Sequence, residues 1–249
     1  MNEKPDLLSA LRMAFGFMNV LPIPQKKEWN DRDFGWSAVF FPLTGAVIGL
    51  ITGAALRVFA AVFAKPIAAF LTLIVWILLS GGLHWDGLAE CFDGFGCSAA
   101  PERRLEIMKD SRLGTYGALG IFCAAMLKWL CIWQLPGTGI LIFFALAGAS
   151  ARWAMLTLLR QPVVNPNGLA AMLRKHCPQR IALYAAPLPI LLGLLYGRFG
   201  LIYPLTALIT AVILGRIAKK KIGGINGDVL GFSVELAEIV ILLAAQVIP

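Results

Sequence analysis

Long apolar runs separated by short polar connections dominate the chain. The runs at 36–62, 66–84, 115–135, 139–159, 181–197, 200–215 and 229–248 are each near the roughly 20 residues a helix needs to cross a bilayer. They predict seven transmembrane helices. Ahead of them, residues 7–24 are Leu-rich, carry Arg12 and end in Leu21-Pro22-Ile23-Pro24, the pattern of a short amphipathic or half-buried helix stopped by prolines. Pro136-Gly137 and Arg198-Phe199-Gly200 each close a pair of runs into a tight helical hairpin. Gly45, Gly49 and Gly53 recur every fourth residue, and small residues cluster from Ala147 to Ala151; such faces let helices approach closely. The expected architecture is an all-α polytopic membrane protein, a bundle of about seven transmembrane helices plus the N-terminal helix, forming a single integral-membrane domain over 1–249.

Composition agrees with this pattern. Hydrophobic residues make up 59% of the 249 and charged residues 14%, against about 25% charged in a soluble domain. A net charge of +8 would suggest nucleic acid if the cations interleaved with aromatics in one patch, but they flank apolar runs instead, so no nucleic-acid partner is expected. Distributed over alternate connections, 17 of the 22 basic residues fall on one side, only Lys65 and Arg198 on the other, and Arg57, Lys128 and Arg152 inside spans. The positive-inside tendency makes the richer side cytoplasmic. All fourteen acids lie on that side or in spans opening from it, so a multi-pass protein of the cytoplasmic (inner) membrane is expected, with its chemistry facing the cytoplasm. Five cysteines without a Cys-x-x-Cys pair indicate neither a disulfide framework nor a zinc site, and the acidic start of the chain does not read as a cleaved signal.

Three polar stretches interrupt the apolar background. In the first, His84-Trp85-Asp86-Gly87-Leu88-Ala89-Glu90-Cys91-Phe92-Asp93-Gly94, a continuing helix would put Asp86, Glu90 and Asp93 on one face, about 10 Å from first to last. Carboxylates so stacked repel unless something positive lies between them, most simply one or two hard divalent cations. His84 there reads as a base, a ligand or a supporting hydrogen-bond partner.

In the last stretch, Asp228, Glu235 and Glu238 again share a face, with Gly231 on the same stripe. Glu235 and Glu238 lie inside the final span, where a carboxylate needs either a bound cation or a basic side chain, and Lys128 and Arg152 could supply the latter. Between the two acidic stretches, Arg104, Lys109, Ser111, Arg112 and Thr115 suit a phosphate, because guanidinium forks and free backbone N–H groups at a helix start both favour oxyanions. The same cations equally suit the cytoplasmic flank of a span. Asp110, set among them, reads as a further metal or substrate ligand. The loop Asn165-Pro166-Asn167-Gly168-Leu169 has turn chemistry and little else.

Together, His84-Trp85-Asp86-Gly87-Leu88-Ala89 with Asp93-Gly94, Arg104 through Gly117, and Gly227-Asp228-Val229-Leu230-Gly231 with Glu235 and Glu238 resemble the cobalamin synthase (adenosylcobinamide-GDP ribazoletransferase) family. Leu21-Pro22-Ile23-Pro24 and Phe41-Pro42-Leu43 resemble its N-terminal pattern. Glu90 departs from it, standing where the family pattern usually has Asp. The resemblance implies an integral inner-membrane enzyme, dependent on Mg²⁺, that joins adenosylcobinamide-GDP to α-ribazole or its 5′-phosphate and releases GMP. With the residue patterns it nominates His84, Asp86 and Asp93 as catalytic. Arg104, Lys109, Ser111, Arg112 and Thr115 are nominated to bind substrate phosphates, and Asp86, Glu90, Asp93, Asp110, Asp228, Glu235 and Glu238 to hold metal. A homo-oligomer, or association with other corrinoid-pathway enzymes, is left open. Two alternatives share these features: a CDP-alcohol phosphotransferase-like membrane enzyme, since Glu90-Cys91-Phe92-Asp93-Gly94 has the spacing of that core motif, and a secondary transporter with intramembrane carboxylates.

Overall fold

The computed structural model describes residues 5–22, 24 and 30–248. Ile23, Lys4, Lys26 and Lys27, which entered the N-terminal pattern and the charge count, lie outside the described residues. In chain order the helices are α1 (Leu7–Met18), α2 (Asp31–Ser37), α3 (Phe41–Ala60), α4 (Lys65–Leu79), α5 (Leu83–Gly96), α6 (Pro101–Ile107) and α7 (Thr115–Gln134). They continue with α8 (Ile140–Met155), α9 (Leu169–His176), α10 (Ile181–Ala185), α11 (Pro187–Tyr196), α12 (Ile202–Ile222) and α13 (Gly227–Val247). Among the described residues there is no strand, only an isolated parallel bridge between Val163 and Ile225.

Four continuous helical stretches are long and apolar enough to cross a membrane: 31–60, α7, 140–160 and α12. The pairs α4–α5 and α9 with α10–α11 bring the number to six if each makes one crossing. A count of seven requires α13 as well, 21 residues long and carrying Glu235 and Glu238. The N-terminal helix is short, as expected. It is capped by Asp6, whose carboxylate accepts from the backbone N–H of Leu8 and Ser9, and it buries Ala10, Met13, Ala14 and Met18 while exposing Leu7 and Leu8.

The glycine stripe of α3 works as its spacing predicts. A Cβ on Gly45 would strike the backbone of Gly148, and one on Gly49 the backbone of Phe144, so α3 and α8 pack main chain to main chain. One expectation fails at the end of α4. The helix does not run on through His84 but stops at Leu79, because Gly81 and Gly82 take φ of +62° and +69°, values open to glycine and costly for other residues. As a result α5 leaves at 93° to α4 and lies across the end of that helix. Similarly, the run at 181–197 is two short helices joined to α9 through an 89° bend.

Candidate active site

The turned helix α5 crosses the start of α13. Gly87 has no Cβ to keep the two apart, and one added there would meet the main chain of Asp228 at 2.6 to 3.2 Å. Gly231, one turn further along α13, faces the backbone of His84 and Gly87. The crossing therefore sets Asp86 and Glu90 beside Asp228, and Asp86, Asp93, Asp110 and Asp228 all lie within electrostatic reach of Glu90. Asp86 is exposed, while Glu90 and Asp228 are half-buried. Asn226 organises the α13 end of the site: its side-chain oxygen caps the helix by accepting from the Val229 N–H at 3.0 Å, and its amide donates to Asp228 at 2.7 Å.

Two cavities open at the crossing, both reaching Asp228 and the apolar one also Asp86. A polar one of about 270 Å³ is lined by Lys109, Asn165, Gly168, Asn226 and Asp228 among others. An apolar one of about 250 Å³ is lined by Phe17, Met18, His84, Asp86, Leu173 and Leu230 among others. Leu169, Gly227 and Asp228 belong to both. The loop at 165–169, read from sequence as a turn and nothing more, is thus a wall of the site. Hydrogen bonds from Val164 N–H to the Ile225 carbonyl (3.0 Å) and from Ile225 N–H to the Pro162 carbonyl (2.8 Å) tie it to the residues just ahead of α13. No sequence signal marks that bridge, and Asn226, absent from the sequence-derived candidates, was visible only as an Asn one residue before a helix-starting Gly-Asp.

The remaining candidates divide by what they touch. Asp93 is buried and accepts from the backbone N–H of Gly114 at 2.9 Å and of Gly117 at 2.8 Å, so it anchors the start of α7 through both oxygens instead of facing Asp86. Arg104 is also buried and turned inward, donating to the carbonyls of Ala99, Gly94 and Phe95 at 2.9, 2.8 and 3.0 Å. In place of a phosphate, it holds the chain reversal between α5 and α6. Lys109, Ser111, Arg112 and Thr115 are exposed, with Lys109 on the polar cavity. Asp110 pairs with Arg112 at 2.6 Å; the side-chain bonds from Arg112 come first among the causes that hold its carboxyl down to about 2, and the Arg112 guanidinium is shifted up in turn.

Glu235 and Glu238 are 2% and 1% exposed and do not reach Asp228's cavities. Lys128 donates to Glu235 and, at 2.6 Å, to Glu238, and Arg152 donates to the other oxygen of Glu238 at 2.9 Å. Lys128 also lies 4.4 Å from the centre of the Trp76 ring and 5.3 Å from that of Trp85. Of the two sequence readings of these acids, the geometry carries the ion-pair one: two cations already neutralise them, in place of a metal. His84, 2% exposed, has neither ring nitrogen in a hydrogen bond among the described residues.

No three His, Cys, Asp or Glu side chains among the described residues are arranged to hold a metal by themselves. The donors at the crossing are nevertheless all carboxylate oxygens, and Mg²⁺ usually takes one or two carboxylates together with waters and substrate phosphates instead of a full protein cage. Asp86, Glu90 and Asp228 suit that mode.

Comparison with known proteins agrees with the motifs. The family described as cobalamin-5-phosphate synthase matches residues 10–246. Over 247 residues the chain is 33% identical to an adenosylcobinamide-GDP ribazoletransferase of Ralstonia pickettii, covering 97% of this chain and 96% of the relative. A protein of the same name from Escherichia coli is 33% identical over 92% of this chain and 95% of its own, and one from Pseudomonas putida 35% identical over 93% and 96%. No solved structure matches. With the match running nearly end to end, the chain belongs to the cobalamin-5-phosphate synthase family.

Proposed function

We propose that this protein transfers an adenosylcobinamide-phosphate group from adenosylcobinamide-GDP to α-ribazole or its 5′-phosphate and releases GMP. The observation that carries the reading is the α5–α13 crossing, which sets Asp86 and Glu90 beside Asp228, the acid that lines a polar cavity together with Lys109. In the reaction a ribose hydroxyl oxygen forms a bond to the corrinoid-linked phosphorus, and the phosphoanhydride bond to GMP breaks. Asp86, the exposed carboxylate on the apolar cavity beside Asp228, accepts the hydroxyl proton. Lys109 faces the charge of the diphosphate, and the Asp110–Arg112 pair shapes the exposed rim beside it. When bound, Mg²⁺ held by Asp86, Glu90 and Asp228 supplies neutralisation of phosphate charge. Asp93 and Arg104 act one step back, by fixing the α7 start and the α5–α6 reversal that carry these groups.

The distribution of cations supports a cytoplasmic site in the inner membrane: α12 ends in Lys219, Lys220 and Lys221, and Arg174 and Lys175 close α9, both on the side of the crossing. The test is nucleotide release by purified protein in nanodiscs. GMP formed from adenosylcobinamide-GDP only when a ribazole is present is the expected result. CMP formed from a CDP-alcohol, or release of neither nucleotide, overturns the reading.

A further inference from the structure

Two cations stand apart from the rest of the charge pattern. Arg57, in the last turn of α3, and Lys65, the first residue of α4, lie at the end of the bundle away from the α5–α13 crossing, since α4 runs about 21 Å from Lys65 to Leu79 before the chain turns into α5. Both are exposed, and neither has an ion-pair or hydrogen-bond partner among the described residues. The sequence places no acid near them. No Asp or Glu occurs between Asp33 and Asp86 or between Asp110 and Asp228, and none follows Glu238. The other cations away from the basic connections are accounted for: Lys128 and Arg152 by Glu235 and Glu238, and Arg198 by the Phe199 ring at 4.7 Å.

Arg57 and Lys65 line one cavity of about 240 Å³, where the ends of α3 and α7 meet the starts of α4 and α8, with Ile132, Trp133 and Ile140 among its apolar walls. Those walls are held in place. Trp129 donates from Nε1 to the Pro66 carbonyl at 2.8 Å, stacks on Trp133 with ring centres 6.1 Å apart, and meets Phe70 edge to face at 6.2 Å. Tryptophans gathered at one end of a span mark the headgroup level of a bilayer. From that level Ile67, Phe70 and Ile74, all exposed, follow one face of α4 toward the hydrocarbon. Lys65 also sits in the first turn of α4, where the helix dipole disfavours a cation unless an anion joins it.

We infer that this cavity is a site for one anionic phospholipid of the leaflet opposite the crossing, with its phosphodiester held between Arg57 and Lys65 and its acyl chains laid along Ile67, Phe70 and Ile74. A guanidinium fork and an ammonium both suit phosphate oxygens. The pair carries two positive charges with no carboxylate to receive a headgroup ammonium, so a lipid of net negative charge complements it and a zwitterionic one does not. The cavity takes the headgroup and leaves the chains outside. Bound there, the lipid ties the α3–α4 turn to the α7–α8 turn. The inference does not depend on the ribazole-transfer reading.

Native mass spectrometry of protein released from nanodiscs of equal phosphatidylglycerol and phosphatidylcholine reads the retained lipid. Wild-type protein retains one phosphatidylglycerol in preference to phosphatidylcholine. At about fivefold in affinity for each cation beside an anionic headgroup, Arg57→Gln and Lys65→Gln each weaken retention about fivefold and the double variant about thirtyfold. Lys219→Gln/Lys220→Gln, which removes exposed cations at the end of α12, leaves it unchanged. Equal retention of the two lipids by wild type, a comparison that needs no variant, overturns the site; so does a double variant that retains phosphatidylglycerol as wild type does, or its loss in the Lys219/Lys220 control. In detergent, the unfolding midpoint of wild type rises with added phosphatidylglycerol and not with phosphatidylcholine or inorganic phosphate. An equal rise with inorganic phosphate would make this a free-anion site and overturn the lipid assignment.

Discussion

Replacing Lys128 by Met tests the buried charge network and, with it, the division between structural and site acids. Lys128, Arg152, Glu235 and Glu238 are each at most 2% exposed and formally neutral as a group of four. Lys128→Met removes both ammonium contacts, leaves Glu235 without its cation and unbalances the cluster by one negative charge. Breaking a buried pair from one side costs about 3–5 kcal/mol. At about 2–4 °C per kcal/mol for a chain of this size, the unfolding midpoint falls by roughly 6–20 °C. The double variant Lys128→Met/Glu235→Gln restores neutrality, since Glu238 keeps Arg152, and recovers most of the loss. Circular dichroism of nanodisc-embedded protein during heating reads both. A single variant that melts with the wild type, or a double that melts as low as the single, would refute the charge-balance argument. Glu235→Gln alone should leave the Mg²⁺ concentration dependence of turnover unchanged, and a shift in it would return Glu235 to the metal site.

Four further outcomes are expected. Asp86→Asn and Asp228→Asn lower turnover by about 10²-fold or more, and raise the Mg²⁺ needed for half-maximal rate, while the protein still inserts; near-normal rates at limiting Mg²⁺ count against the assignment. Asp93→Asn sets an amide N–H₂ against a backbone donor and costs about 1–3 kcal/mol, and Gly117→Ala, whose Cβ would strike the same carboxylate, should destabilise in parallel when both are melted. The Asp110 carboxyl, held at about 2 against an ordinary 3.8, contributes stability that is present above about pH 4 and fades as pH falls toward 2; any midpoint difference between wild type and Arg112→Gln should shrink over that window and stay constant from pH 5 to 8. Cysteines placed at Ser98 and Lys220, in a background without the native ones, should resist an impermeant thiol reagent in intact cells and react in inverted vesicles.

Helix positions were legible because a bilayer-length apolar run has few alternatives, and the Gly45–Gly49–Gly53 stripe announced a close helix pair by spacing alone. The break at Gly81-Gly82 was not legible. Glycine tolerates both the helical and the left-handed backbone, so only packing against the rest of the bundle selects the 93° turn. The same limit governed the acids. Asp86, Glu90 and Asp93 do follow one another along a helix face, yet Asp93 sinks against the start of α7 because Gly114 and Gly117 offer it two backbone donors from a segment more than twenty residues away. Intramembrane Lys128 and Arg152 were recognisable as partners for Glu235 and Glu238, but sequence could not choose between them and a bound ion. Distances made that choice.

The contact between Gly87 and Asp228 also determines which parts of the site can move. Two helices meeting main chain to main chain form a joint without clearance: sliding α5 by one residue would drive the side chain of Asp86 or Leu88 into α13's backbone, where only a hydrogen atom now fits. Asp86 and Asp228 therefore sit on a rigid anvil. The opposite wall of the polar cavity is the 165–169 loop, whose lead-in at Pro162 and Val164 is joined to Ile225 by two backbone hydrogen bonds, beside α9, a short helix of eight residues. The acids and the loop thus belong to different pieces of the chain, and a mutation that loosens the loop should change access to the polar cavity without disturbing the spacing of the carboxylates.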